Sequence, residues 1–477
     1  MKKWILIWAA ILSAFLFAAA SAETYQVSPD GLSITEALEL CADGDVIELA
    51  DGVYDEECET FPILVTKSVT LCAAEGARPV IDAPEYVAAV RVEASSVTLE
   101  GLDIQMLRTG IYAIGDDMTL IDCSISLADE VWRTSSCGIW CGGIYDMTLI
   151  DCSFVGCSVS LAGPPLSESS TGLPVLTGLF EVGEDEKYFT SHTIENCTVN
   201  GKELLYIINE ASVSITGDYG QVICCGCGDV CASEIALSDA SMGMIFAYND
   251  SVTIEDCSAD RCGVFGIYVC KCSSGTVRNC TSEETNHGLD IRACTNIALI
   301  DCTATDCDQG MFFSHVEDSV MINCTVIGTG QGYFVAAGEG NALVSCTASE
   351  CENGFNLQKE GTILMTCCLI EECSVCGVRM DATPTIFTSN TLIDNWVGVM
   401  AYGEVSVELI DNLFEGSLSC GLYLHNLAYS RFVGNTIIGN EGDSVQAEGT
   451  MSESLWMDNE LDVAMNCDEE AVFYCVE

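Results

Sequence analysis

Basic residues are the first scarcity: the 477-residue chain carries 16 Lys and Arg against 72 Asp and Glu, a formal charge of −56. Self-repulsion of that size keeps a chain soluble and turns polyanions away, so nucleic acid is not an expected partner. Anionic polysaccharide is disfavoured for the same reason, unless a divalent cation such as Ca²⁺ bridges the two negative surfaces. Long apolar runs are also missing. Beyond the N-terminus no stretch reaches the ~18 residues a membrane span needs. Histidine is rare, four in all, and no Ser/His/Asp arrangement is readable. The glycine-rich fragment from Gly328 to Gly332 does not open a helix, which excludes a phosphate cradle.

The one long apolar run follows Met1-Lys2-Lys3, covers residues 4–20 and ends in Ala20-Ser21-Ala22. A basic start, an apolar middle and a small-residue exit describe a cleaved secretory signal over residues 1–22. A membrane anchor is the alternative reading, but no lipid-anchor Cys sits at the exit. The expectation is a secreted protein, extracellular or periplasmic, with no membrane span after cleavage.

What the chain has in quantity is apolar residues, 49%, and cysteine, 31 residues. So many cysteines in a secreted chain usually mean a disulfide framework. Here many fall at one repeat position. Aligning segments on Gly266, Gly288, Gly310, Gly332, Gly354, Gly377, Gly398 and Gly421 brings Cys280, Cys302, Cys324, Cys346 and Cys368 into one column. Asn390, Asn412, Asn435 and Asn459 continue it, and from Cys280 to Asn412 the interval is 22 residues each time. Cys123, Cys152, Cys197 and Cys257 carry the signature upstream at wider spacing. Each coil holds two short alternating strands, such as those around Leu289/Ile291 and Ala298/Ile300, joined by polar corners. The repeated glycine is expected to mark a corner with unusual backbone angles. No such segment buries its apolar face alone, and stacking in register gives each strand a parallel partner above and below. The fold expected is all-β: one parallel β-helix of ~22-residue coils with an N-terminal capping helix. Ser33 and Glu36 form a capping box, and Ile34, Ala37, Leu38 and Cys41 share one helical face.

Residues 23–100 are expected to hold the cap and first coils, 101–459 the helix body with a loop insertion near 161–190, and 460–477 a C-terminal cap. Around residues 220–240 the register is irregular.

The stretch Ile34-Thr-Glu-Ala-Leu, Gly44-Asp-Val-Ile-Glu-Leu and Asp51-Gly-Val-Tyr resembles the start of right-handed parallel β-helix proteins of the pectate-lyase-like superfamily. The coil repeat is similar to theirs, so the resemblance covers nearly all of the mature chain. It implies a right-handed helix and is unspecific for activity: polysaccharide lyases, polygalacturonase-like hydrolases, uronate epimerases and binding or structural members all share the fold. In its lyases, a Lys or Arg takes the proton beside a uronate carboxylate and Asp-held Ca²⁺ neutralises that carboxylate. Gly115-Asp116-Asp117 resembles a hydrolase motif. The Asn-Thr-Asp and Arg-Ile-Lys motifs are absent, which leaves a turn as the expected role of Asp116-Asp117.

Three readings of the cysteine column stand: thiols packed as small hydrophobes, disulfides between neighbouring coils, and a metal-binding ladder. The cluster Cys224, Cys225, Cys227 and Cys231 suits local disulfides or a metal but lacks the paired spacing of structural zinc sites. Sequons at Asn196, Asn279 and Asn323 are expected inside the ladder, where no glycan fits.

Two outward columns are expected to form one exposed face. Tyr112, Trp140, Tyr268, Asp290, Phe312, Phe334, Asn356, Arg379, Met400 and Tyr423 make the first. Arg292, Ser314, Ala336, Gln358, Asp381, Tyr402 and His425 make the second. Aromatic rings in file suit the apolar faces of sugars, with Arg379, Asp381 and His425 orienting hydroxyls or carboxylates. Arg292, Asp290, His287 and His315, with Asp308 nearby, are the candidate catalytic set. The alternatives are aromatic ladders that only support the sheet, and a surface ion pair of little consequence. The expected function is binding of extracellular polysaccharide or cell-surface glycan, with cleavage or epimerisation open. A non-catalytic surface, adhesion or structural solenoid is the rival.

Overall fold

The computed structural model describes residues 22–84, 87–128, 136–162, 185–358, 361–463, 465–467 and 474–476. Residues 1–21 of the expected leader and 163–184 of the expected insertion lie outside the described residues. Among the described residues no helix is long and apolar enough to cross a membrane.

One coil shows the plan. His287–Arg292, Ile297–Ile300 and Thr303–Thr305 are its strands, three where the sequence pattern suggested two. The missed strand has one inward side chain, Ala304, flanked by two threonines. Alternation over so short a piece leaves no readable period. Each strand pairs in parallel with its counterpart one coil on: Leu289 with Met311, Leu299 with Met321, Ala304 with Val326. The chain thus winds three parallel walls around one core, which runs from Val27 to Trp456. The fold is an all-β right-handed parallel β-helix.

The ladder column stacks as the repeat requires. Arg278, Ile300 and Ile322 are register partners on one side of the cysteines, and Thr281, Thr303 and Thr325 on the other. Cys280, Cys302 and Cys324 therefore lie one above the next, fully buried. They are free thiols, and Cys302 Sγ donates to the carbonyls of Ile300 and Val277, both at 3.4 Å. Further on, asparagines take the same slot and stitch coils together. Asn412 Oδ1 accepts from the Asn390 backbone N–H at 2.9 Å, while its Nδ2 donates to Phe387 O and Asn435 Oδ1, both at 2.9 Å.

The corner belongs to the residue before the ladder position, not to the repeated glycine. Asn279, Asp301, Asn323 and Ser345 have φ of 48°, 55°, 52° and 54°, the left-handed region that Asn and Asp tolerate best. Gly288 lies inside a strand. A Cβ there would stand 2.7 Å from the Gly310 carbonyl oxygen and 3.1 Å from Ala304 Cβ. The glycine is required by close approach of the next coil, not by backbone angle. The sequon asparagines Asn196, Asn279 and Asn323 are likewise exposed at corners rather than inside the ladder, because the ladder residue is their C-terminal neighbour.

At the N-terminal end, the helix Ile34–Leu40 begins with the expected capping box: Glu36 N–H donates to Ser33 Oγ at 3.0 Å and Ser33 N–H to Glu36 Oε2 at 3.1 Å. Its buried face, Ile34, Ala37 and Leu38, joins the core. The irregularity lies upstream of the expected 220–240: Thr198–Val199 pairs antiparallel with Lys202–Ile208, whose register against Tyr219–Cys225 shifts at Glu203/Leu204. Cys224, Cys225 and Cys227 are buried while Cys231 is exposed, so the four do not converge. Near the C-terminus Asn466–Cys467 and Tyr474–Val476 pair in parallel with the stack.

Candidate functional site

The longest strands, six residues in most coils of the body, build one wall of the tube. The outer side of this wall carries both predicted columns, and it divides in two. Tyr112, Trp140, Tyr268, Asp290, Phe312, Arg292 and Ser314 are all buried. From Phe334 onward Phe334, Arg379, Met400, Tyr423, Ala336, Gln358, Asp381, Tyr402 and His425 reach solvent, and Asn356 stays buried. The single exposed face expected from the pattern is therefore only half exposed. Alternation reports on which side of the wall a side chain lies and nothing of what lies over it.

In the buried half three of the four candidate catalytic residues meet. Arg292 grips Asp290 with Nε on Oδ1 at 2.6 Å and Nη2 on Oδ2 at 2.7 Å, and His287 Nδ1 reaches Asp290 Oδ2 at 2.8 Å. The Arg292 guanidinium lies 4.7 Å from the Phe312 ring centre and 5.2 Å from that of Phe265. Burial opposes ionisation of Asp290, but the guanidinium and the hydrogen bonds outweigh it and hold the carboxyl below its usual range. Burial also opposes the charge on Arg292, and Asp290 more than restores it, raising its pKa. Burial lowers the His287 pKa despite Asp290, so the imidazole is neutral near pH 7. Because ionised Asp290 only accepts, the proton sits on Nδ1 and Nε2 presents a lone pair. Among the described residues nothing hydrogen-bonds that Nε2, nor Oε1 of Gln309, the register partner of His287 on the next coil.

Asp290 thus opposes loss of a proton from Arg292. His315 does not join the set. It is exposed at a corner with φ 54°, and its Nδ1 lies 3.0 Å from Ser314 Oγ. Asp308 is exposed at the preceding corner.

The open half brings together the second predicted group. Arg379 Nη2 stands 4.0 Å from Asp381 Oδ2 and its guanidinium 5.8 Å from the Tyr402 ring centre. Tyr402 is 5.7 Å from Tyr423 and 6.3 Å from His425, centre to centre. Tyr423 Oη donates to Glu448 Oε2 at 2.8 Å, and Gln446 Nε2 to Glu448 Oε1 at 2.8 Å. Phe334 stacks on buried Phe312 at 4.6 Å, which links the halves. Cys376, Val397 and Cys420 form a small apolar floor against which Met400 and Tyr423 pack.

Sequence reasoning missed the border of this floor. Val375, Trp396 and Leu418 are exposed, Trp396 by 51%, and each immediately precedes or closely approaches the start of its strand. The signal was present as a tryptophan in an otherwise polar corner, Asp394-Asn395-Trp396, one residue before Val397–Tyr402.

A separate cavity of about 650 Å³ is lined by Asp116, Tyr145, Asp146, Asp185, Lys187, Thr190 and Ser191, with Tyr145 stacked on Tyr188 at 4.9 Å. Asp117 has φ 58° and Asp116 Oδ1 accepts from Tyr145 N–H at 2.9 Å, the turn geometry expected of this pair. Among the described residues no three His, Cys, Asp or Glu side chains stand together so as to hold a metal ion.

Three parallel walls wound around one core define the class as a right-handed β-helix protein. The family model described as a right handed beta helix region matches residues 181–347, 243–392 and 343–460, more than half of the chain, and the chain belongs to that family. A second model, of a family of unknown function, matches residues 28–83. No curated protein matches. Solved structures similar to this one include a periplasmic alginate epimerase, at 11% identity over 89% of this chain and 85% of that one, TM-score 0.31. The A-module of a mannuronan C-5 epimerase from Azotobacter vinelandii is 12% identical over 91% of each chain, TM-score 0.32. A pectate lyase is 14% identical over 85% and 78%, TM-score 0.25.

Proposed function

We propose that this protein is secreted and binds an extracellular polysaccharide along the open half of the outer wall. The observation that carries the reading is the half-exposed rings of Tyr402 and Tyr423, on neighbouring coils and 5.7 Å apart, with Arg379, Asp381 and His425 around them. Sugar rings stack their apolar faces on such aromatics, and the flanking polar groups fix the hydroxyls. Stacking at the coil repeat sets the sites in a file, which suits a polymer rather than a single sugar.

Binding stands ahead of cleavage or epimerisation. The His287–Asp290–Arg292 set is buried and Arg292 is locked in its charged form, so a lyase step that uses it as base has no support in this geometry. A non-catalytic surface or adhesion role is the second reading, favoured by that same burial. Affinity electrophoresis of the mature protein against a panel of polysaccharides tests the proposal. Retardation by at least one polymer, lost in Tyr402→Ala with Tyr423→Ala, is expected; mobility unchanged across the panel overturns it.

A further inference from the structure

We infer that the glycan of the open half is neutral and hydroxyl-rich rather than a polyuronate. The inference rests on the glycan-binding reading above and deepens it by naming the ligand class.

A polyuronate presents a carboxylate on every ring, and each needs a cation that is free to meet it. Among the described residues of the open half, Arg379 is the permanent cation, and it stands against Asp381 at 4.0 Å and over the Tyr402 ring. Lys359 and Glu360, outside the described residues, are adjacent in sequence and opposite in charge. The other charges on the outward columns are carboxylates: Asp381, and Glu448 held by Tyr423 and Gln446. With a chain charge of −56 behind them, the field at this face repels a polyanion. A Ca²⁺ bridge would need converging oxygen ligands, and no three carboxylates converge among the described residues.

What the face does supply matches hydroxyls. Buried Asn356 fixes two half-exposed amides on this face: its Nδ2 donates to Gln331 Oε1 at 2.8 Å and its Oδ1 accepts from Gln358 Nε2 at 3.1 Å, and the two glutamines can both give and accept. The carboxylates of Asp381 and Glu448 accept from the paired hydroxyls of an uncharged ring. Beside them Tyr402 and Tyr423 offer ring faces that are indifferent to charge.

Titration calorimetry of the mature protein with soluble mixed-linkage β-glucan, xylan and galactomannan, and with polygalacturonate and alginate, each with and without added Ca²⁺, tests the inference. At least one neutral polymer is expected to bind at least about tenfold more tightly than either polyuronate, a difference of about 1.4 kcal/mol. Its affinity should hold at high salt, because stacking and neutral hydrogen bonds are not screened. Tyr402→Ala, a change at a half-exposed side chain whose folding a thermal melt verifies, should weaken that binding about tenfold. Equal or tighter binding of a polyuronate, with or without Ca²⁺, overturns the neutral-ligand inference and leaves the glycan reading intact. Absence of binding to every polymer overturns both.

Discussion

Asp290 and Arg292, two residues apart on one strand, form a bidentate ion pair of 2.6 and 2.7 Å that no solvent reaches. They project from the same side of the wall because strand residues of like parity do so. The guanidinium is then sandwiched by Phe265 and Phe312 from the coils on either side.

Removing the cation alone leaves a buried carboxylate uncompensated. Arg292→Met is expected to cost about 3–5 kcal/mol, measured as a lower midpoint in urea unfolding. Adding Asp290→Asn should recover part of the loss, since the neutral amide removes the stranded charge. A single variant as stable as the parent would show that the pair contributes nothing.

Stability should fall on acidification in two windows. The folded pKa of His287 lies below its usual 6.5, lowered first by burial, so the unfolded chain binds the extra proton first. Stability is then full above about pH 6.5 and declines as pH drops toward the folded pKa. Asp290 is also depressed, its burial outweighed by Arg292. Its contribution is present above the unfolded carboxyl range and disappears as pH falls through the folded value. Melting temperatures taken from about pH 8 down to about pH 2 should fall through both windows, and His287→Gln should flatten the upper window only.

Gly288→Ala should destabilise by about 1–3 kcal/mol through overpacking, because the new methyl meets the Gly310 carbonyl at 2.7 Å. Asp301→Gly, at φ 55°, should stay within about 0.5 kcal/mol. Thermal melts of the two variants separate a close-approach glycine from a corner residue; the reverse ranking would restore the glycine as the corner.

Within the ladder, asparagine should matter more than cysteine. Asn412→Ala strands the Asn390 N–H and the Phe387 carbonyl that it serves at 2.9 Å each, costing roughly 2 kcal/mol or more. Cys302→Ala removes one sulfur whose contacts to carbonyls are 3.4 Å long and should cost less. Urea midpoints of both variants decide the order.

By itself the sequence determined the coil and its stacking. A 22-residue recurrence of one glycine and one cysteine or asparagine admits no closed globular packing, since each coil's apolar residues find partners only above and below. The capping box at Ser33 and Glu36 was local and equally plain. The third strand was not, because Thr303–Thr305 is too short to show a period. Nor was the identity of the corner, since Asn279 and Asp301 announce a left-handed backbone no more loudly than Gly288 does.

Only the tertiary structure decided which outward residues meet solvent. Tyr268 and Tyr402 occupy the two outward columns with nothing in their neighbours to distinguish them, yet one is buried and the other open. It also decided that Asp290 binds His287 and Arg292 while His315 turns away at a corner. Side-chain parity is a property of one strand and travels with the sequence; cover and charge pairing depend on what is brought against that strand from elsewhere in the chain, and no local pattern encodes it.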